Sequence, residues 1–278
     1  MYRVRIPIGI LLIAIVALLG YTDYKTNTAY ATSSIMGLAL VVALSEFYAM
    51  TKNRNYQPYT VYGLLSSLVM VAAMISHMLP IDLFAIVLSG VFIRFLFDVN
   101  KENALENCAI TVLGLVYVYF LFSFVLKIRA IGGELQHNLD GLYYLVFLLF
   151  VAKSMDIGGY LVGKAFGKHK IVPGISPNKS YEGAIGGIIL AIGVAYLFRE
   201  NIEVIRSSLT LTHTIIFACL MAILSLLGDF CESLIKRRCD VKDSNQLIPE
   251  FGGILDLVDS LLLTAPIGYY YLVFFLTN

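Results

Sequence analysis

Tryptophan is absent from this 278-residue chain, and charge is scarce: Asp, Glu, Lys and Arg make up 14% of it. Each shortage removes a class of protein. So little charge beside 59% hydrophobic residues excludes an ordinary soluble domain and a disordered chain. A net charge of +1 argues against nucleic acid as a partner. The four cysteines (Cys108, Cys219, Cys231, Cys239) form no CxxC pair and lie mostly in apolar runs. Free core thiols are therefore expected, rather than disulfides or a zinc site. Alternating ten-residue strands are missing, which leaves helices as the only spanning form. No Ser–His–Asp arrangement is visible, and His77, His137, His169 and His213 are scattered, so no catalytic histidine is assigned. The chain also shows no internal repeat and no low-complexity tract.

What is present is a series of long apolar runs. They predict an all-α, polytopic transmembrane helix bundle of about nine spans, near 6–20, 32–50, 59–79, 81–98, 104–126, 141–162, 183–198, 212–235 and 257–276. The first run follows Arg3 and Arg5 like a signal peptide. It ends without a small-x-small cleavage site, so it reads as a retained span. With the N-terminus in the cytoplasm, thirteen Lys and Arg fall on the cytoplasmic side and five opposite, with Arg94 and Lys153 inside spans. The positive-inside rule favours that orientation. It places loops 163–182 and 236–256 on one cytoplasmic face. Residues 1–140 then read as scaffold helices, and 141–278 as a catalytic transmembrane region. Two charges interrupt the scaffold runs, Glu46 and Arg94. Each fits a structural pair or a snorkelling end better than a site.

Two stretches carry chemistry. In KSMDIGGY, Lys153 and Asp156 share a helix face at i, i+3 and can neutralise each other. Gly158, Gly159 and Gly163 allow close backbone approach to a helix or a ligand. Lys164, Lys168, His169 and Lys170 form a basic loop that reads first as membrane anchoring. ISPNKSYEG follows: Ser176 or Ser180 caps the next helix, Glu182 sits in its first turn, and Lys179 stands just before its N-terminus. Amides, a hydroxyl and a lysine there suit an anion. A basic loop before a capped helix looks similar, and the segment is no Walker A loop, because the spacing is wrong.

The second stretch runs GDFCESLIKRRCDVKDSNQLIPEFGGILDLVDS, from Gly228 to Ser260. Asp229, Glu232, Ser233, Lys236 and Arg237 recur at spacings of three and four on one helix face. Ordinary salt bridges explain that pattern as well as chemistry does. Asp229, however, closes an apolar run, where a bare carboxylate is expensive. Asp256 and Asp259 repel at i, i+3 unless a cation intervenes. Oxygen donors without His or Cys suit Mg²⁺, and Gly252-Gly253 offers a bend where amides can approach a phosphate.

At these residues the sequence resembles the phosphatidate cytidylyltransferase (CDP-diacylglycerol synthase) family. The family's C-terminal signature is matched in register by Ser233, Lys236, Arg237, Lys242, Asp243, Pro249, Gly252, Gly253, Asp256, Asp259 and Ser260. The G-D-x-x-E-S motif is matched by Asp229 and Glu232, and S-P-x-K-[ST]-[WY]-E-G by residues 176–183. Asp156 and Tyr160 fit D-x-x-x-Y. The match covers about the C-terminal half at motif level. Phe251 stands where the family has His, and Leu257 where it has Arg; Arg238 is the nearby base available to offset them.

The resemblance implies an Mg²⁺-assisted nucleotidyltransferase in the cell (inner) membrane, with its site facing the cytoplasm. CTP and phosphatidate, a membrane lipid, become CDP-diacylglycerol and pyrophosphate. It implies Asp229, Asp256 and Asp259 as metal ligands and Asp243 in support. Lys179, Lys236, Arg237 and Lys242 fall to the phosphates, with Ser176, Ser233, Gly252 and Gly253 lining the substrates. It also makes a homodimer conceivable. The rival readings are a CTP-using enzyme of another lipid, a catalytically weak paralogue, and a cation transporter. Against the transporter, the acids sit with bases at span ends rather than at midplane.

Overall fold

A hydrocarbon environment offers the backbone no hydrogen-bond partners, so apolar runs resolve into helices that satisfy their own amides. In the computed structural model, which describes residues 2–26, 28–76, 82–98, 102–132, 139–248 and 252–276, this is what the runs do. Helices α1 (Tyr2–Thr26), α2 (Tyr30–Thr51), α3 (Thr60–Ile75) and α4 (Asp82–Leu96) come first. Then α5 (Ala104–Gly114) continues through a π-helical turn, Leu115–Phe120, into α6 (Leu121–Arg129). Helix α7 (Asp140–Phe166) leads into strands β1 (Lys170–Val172) and β2 (Ser176–Ser180). Helices α8 (Tyr181–Asn201), α9 (Glu203–Ser208), α10 (Leu211–Arg238) and α11 (Ile254–Leu276) complete the chain.

The fold is helical, as the sequence predicts. Six segments among the described residues are long and apolar enough to cross a membrane: Tyr30–Arg54, Ala104–Arg129, Asp140–Phe166, Tyr181–Asn201, Leu211–Arg238 and Ile254–Leu276. Helices α3 and α4 are apolar but shorter, at 16 and 15 residues. The side chains of Arg3 and Arg5 lie outside the described residues, as do His77, Lys101 and His137. All four cysteines are free thiols. The basic loop after α7 is more ordered than the sequence suggests. It folds as an antiparallel hairpin, with Lys170 opposite Ser180 and Val172 opposite Ser176.

The chain divides into two compact units, residues 1–126 with 238–258, and 127–237 with 259–278. The segment after α10, residues 238–258, groups with the N-terminal helices. In the first unit Asp23 caps α2 from outside, accepting from the amides of Ala31 (2.8 Å) and Thr32 (3.1 Å). Tyr48 donates to the carbonyl of Thr111 (2.9 Å), just before the π turn. A methyl at Gly114 would run into the Tyr48 ring at 2.5 Å.

In the second unit the hairpin is held at both ends. Ser180, extended at φ −128°, accepts from the amide of Gly183 (3.2 Å) and so caps α8. Glu182 reaches back from the first turn to the amides of Lys168 (3.1 Å) and His169 (3.2 Å), and to His169 Nδ1 (2.6 Å). Helices α7 and α8 approach to backbone contact. A Cβ on Gly158 would stand 2.8 Å from the Gly186 carbonyl oxygen and 2.8 Å from Gly187 Cα. Close approach through small residues is how spanning helices gain packing without a hydrophobic driving force.

That packing makes a paired prediction. Gly158→Ala forces the two helices apart and lowers stability by roughly 1–3 kcal/mol, the usual cost of overpacking. Gly193→Ala on α8 meets nothing within 4 Å. It raises stability by roughly 0.5–1 kcal/mol through the lost flexibility of glycine. Thermal unfolding of both variants in one detergent checks the opposite signs.

Candidate active site

The acids on the spanning helices decide where the chemistry sits. Asp229 comes from α10, four residues after Ser225, which is tied to α7 by a hydrogen bond to the Ala152 carbonyl (3.0 Å). Gly228 lets α10 approach α11, since a Cβ there would lie 2.7 Å from the Asp259 carbonyl oxygen. The carboxyl groups of Asp229 and Asp259 come within hydrogen-bonding reach of each other. Asp259 is buried, with only 5% of the residue exposed. Its Oδ1 accepts from the following amide, of Ser260 (2.5 Å).

Two lysines answer this negative charge. Lys179, carried on β2, places its ammonium 2.5 Å from Asp229 Oδ2 and 5.3 Å from the centre of the Phe230 ring. Lys153 on α7 lies 3.6 Å from Asp156 and 3.7 Å from Asp259. The i, i+3 pair read from the sequence is therefore present, and it has a third member from the other end of the chain. One helix turn beyond Asp229, the buried Glu232 pairs with Lys236 at 2.5 Å.

Beside these pairs a cavity of about 340 Å³ opens among α7, β2, α8 and α10. Asp156, Lys179 and Asp229 line it, with Ser176, Asn178 and Ser233 as neutral donors. Tyr160, Gly159 and Gly183 are also in its wall. The hairpin matters here because it carries Lys179 across to α10, and the Ser180 cap and the Glu182 clamp fix where it lands.

Sequence reasoning placed Ser176, Lys179, Asp229, Ser233, Lys236 and Asp259 in the site, and all six lie in the second unit. Ser176, Lys179, Asp229 and Ser233 share the cavity wall. Asp259 touches the group through Asp229 and Lys153. Arg237 is exposed at the end of α10. Asp156 and Lys153 were read as a pair and left out of the predicted site. Their signal was the Lys at i−3 before D-x-x-x-Y.

The remaining predicted residues, Lys242, Asp243, Gly252, Gly253 and Asp256, belong to the first unit. Lys242 and Asp243 are exposed, flanking the buried Ser244. Asp256, expected as a metal ligand, faces donors from its own unit. Its Oδ2 accepts from the amide of Ser244 (2.9 Å), the hydroxyl of Ser244 (2.8 Å) and the amide of Gly253 (2.7 Å). The Gly252-Gly253 amides are likewise spent inside the loop, because Gly252 donates to the carbonyl of Ile248 (2.9 Å). Gly252 has φ +92°, and a side chain there would strike Asp256. Pro249, Glu250 and Phe251 lie outside the described residues. Leu257 is half-buried on α11. Arg238 is exposed, and its carbonyl accepts from Arg54 (3.1 Å), which also pairs with Asp240 (2.7 Å).

Among the described residues no three His, Cys, Asp or Glu side chains form a metal-binding group. The pair Asp229 and Asp259 still fits a hard divalent cation. Mg²⁺ is commonly held by one or two carboxylates, with substrate phosphates and water completing its shell. Two adjoining carboxyl groups also favour a cation between them.

A model of the cytidylyltransferase family matches residues 3–275. The phosphatidate cytidylyltransferase of Chlamydia pneumoniae is 30% identical over 281 residues, covering 97% of this chain and 91% of that protein. That of Bacillus subtilis is 34% identical over 199 residues, 71% of this chain and 69% of that protein. That of Haemophilus influenzae is 38% identical over 165 residues, 56% of this chain and 57% of that protein. A match over nearly the whole length, together with lysine-paired acids beside a cavity, leads to one conclusion: the chain belongs to the cytidylyltransferase family and is a nucleotidyltransferase.

Proposed function

We propose that this membrane enzyme converts CTP and phosphatidate into CDP-diacylglycerol and pyrophosphate, at a site built on Asp229, Asp259, Lys179 and Lys153. The reaction follows the names of the relatives. The observation that carries the site is the cavity wall, where Lys179 meets Asp229 and Ser176 and Ser233 stand near. Acids neutralised by lysines beside a cavity suit a substrate that brings both phosphate and metal.

A phosphate oxygen of the lipid attacks the α-phosphorus of CTP. The bond between the α-phosphorus and its bridging oxygen to the β-phosphate breaks, and pyrophosphate leaves with the bond electrons. The nucleophile is already anionic, so the step needs no strong general base. Lys179, Lys236 and the exposed Arg237 hold phosphate oxygens and offset their charge. Ser176 and Ser233 orient the bound phosphates by hydrogen bonds. When bound, Mg²⁺ held by Asp229 and Asp259 supplies positive charge to the α-phosphate and the leaving group. Asp156 keeps Lys153 beside Asp259. The chain crosses the membrane about nine times with its N-terminus in the cytoplasm, and the basic hairpin faces that side, where CTP is found. This orientation rests on the distribution of Lys and Arg.

Purified protein in detergent should release pyrophosphate only when CTP, phosphatidate and Mg²⁺ are all present. Release from CTP with another lipid but not phosphatidate would reassign the acceptor. Metal uptake into vesicles without any nucleotide would replace the enzyme with a transporter.

Within that assay the acids and the lysine should separate. Asp229→Asn lowers kcat by about 10²–10³-fold, the usual loss when a charge-stabilising group is removed from a transition state. Lys179→Met raises the KM for CTP and lowers kcat by about 10-fold or more, because a phosphate contact and the partner of Asp229 go together. Equal kinetics for Lys179→Met and the parent enzyme would take Lys179 out of the site.

A further inference from the structure

Lys179 is fixed twice, once through its backbone and once through its charge. The end of β2 is held by the Ser180 cap and by Glu182, which accepts from the amides of Lys168 and His169. The side chain then crosses to α10, where it meets two consecutive residues. Asp229 takes the ammonium in an ion pair at 2.5 Å, and the centre of the Phe230 ring lies 5.3 Å from the same nitrogen. That separation is inside the ~6 Å over which an aromatic face attracts a cation. The Lys179 and Asp229 side chains are each only 25% exposed. Water therefore screens the ammonium weakly, and the ring counts for more than it would at an open surface.

The two partners differ in what substrate does to them. Asp229 is proposed to take the cation that arrives with CTP. Lys179 then loses its anion and gains a like charge as neighbour, which favours movement of the ammonium toward water. Lysine is long and flexible enough to make that move. Phe230 is untouched by the exchange, because a ring has no net charge. It neither recruits the metal nor repels a phosphate, as a second carboxylate would. Lys179 and Asp229 are among the described residues of the cavity wall, and Phe230 is not. The ring is half-buried on α10, directly after Asp229. It backs the ammonium without taking the place of the substrate.

We propose that Phe230 is a positioning residue for cytidylyl transfer: its ring keeps the Lys179 ammonium at the cavity while Asp229 is engaged by the cation of the substrate. The proposal rests on the reaction proposed above for its kinetic consequence, and on geometry alone for the hold on Lys179. Phe230 touches no reacting atom and acts only through the lysine. Any apolar side chain could fill this position on α10, but an aromatic face is what supplies the attraction.

Fluorine substitution separates the two roles, since it drains the π-face of the ring and barely changes its volume. In full-length protein carrying mono-, di- or trifluorinated phenylalanine in place of Phe230, the KM for CTP should climb with each fluorine. Phe230→Leu should raise it by about 5-fold, and Phe230→Tyr should stay near the parent. In a Lys179→Met background Phe230→Leu should add little, because the ring has lost its cation. A packing role would give equal KM values across the fluorinated series. That result, or full additivity with Lys179→Met, overturns the proposal, and the fluorinated series serves even if Phe230→Leu fails to fold. A second readout needs no metal, substrate or turnover. Asp229→Asn removes the ion pair and leaves the ring in place. Adding Phe230→Leu to that variant should speed acetylation of Lys179 by acetic anhydride about 5-fold, as read by mass spectrometry. Equal rates would overturn the hold on Lys179 whatever the kinetics. If the parent protein releases no pyrophosphate, the reaction fails, and the acetylation rates alone decide the positioning.

Discussion

The structure turns on the cost of keeping carboxylates on membrane-spanning helices. Asp229 and Asp259 lie within segments apolar and long enough to cross a bilayer. An ionised acid there needs a cation, donors or water. Lys179 and Lys153 meet that need by different routes. Lys153 comes from the neighbouring face of α7. Lys179 comes from a strand, and the hairpin, the Ser180 cap and the Glu182 clamp together bring it there. Much of the local order of the second unit, including the glycine contact of α7 with α8, sets these two ammonium groups against these two acids.

That arrangement also links to turnover. A lysine paired with a carboxylate is a partner that a substrate can exchange. A phosphate with its metal offers the acid a stronger cation and the lysine a stronger anion, so both pairs can be traded without leaving a bare charge. The cavity opens where the trade would take place, beside Asp229, Lys179 and Asp156. The Glu232–Lys236 pair extends the same logic one helix turn along α10.

The sequence showed whatever depends on near neighbours. Helix positions followed from the apolar runs, the Lys153–Asp156 pair from its spacing, and a serine cap on α8, by Ser176 or Ser180, from the residues before Glu182. What it hid is long-range. That Lys153 also meets Asp259 depends on the packing of α7 with α11, and no periodicity encodes that. Glu46 read as a structural pair or a snorkelling end, and the partners that hold it lie about 200 residues away. Asp256 and Asp259 look equivalent as two acids at i, i+3. They part only when their neighbours are known: amides and a serine for one, a lysine and an aspartate for the other. The Gly252-Gly253 pair is ambiguous in sequence for a related reason. A glycine that lets a backbone approach a phosphate and one that lets it pass a carboxylate have the same sequence.

The two ways of neutralising an acid separate chemistry from scaffold in this fold. Glu46 and the Oδ2 of Asp256 are satisfied by backbone amides and Ser244, and those donors cannot leave without unmaking the first turn of α11. Such a carboxylate is spent on position. Asp229, Asp156 and Asp259 are answered by lysine side chains, which can swing away on a rotamer change. Such a carboxylate remains available to a substrate. The criterion needs no metal in view, and it explains why a chain with so few charges keeps both kinds. The fixed acids hold Ser244 and the first turn of α11, and the exchangeable ones are those proposed to bind substrate. Moving either kind into the other's surroundings would lose one function without gaining the second, because an amide-bound carboxylate cannot turn over and a lysine-bound one cannot hold a helix start.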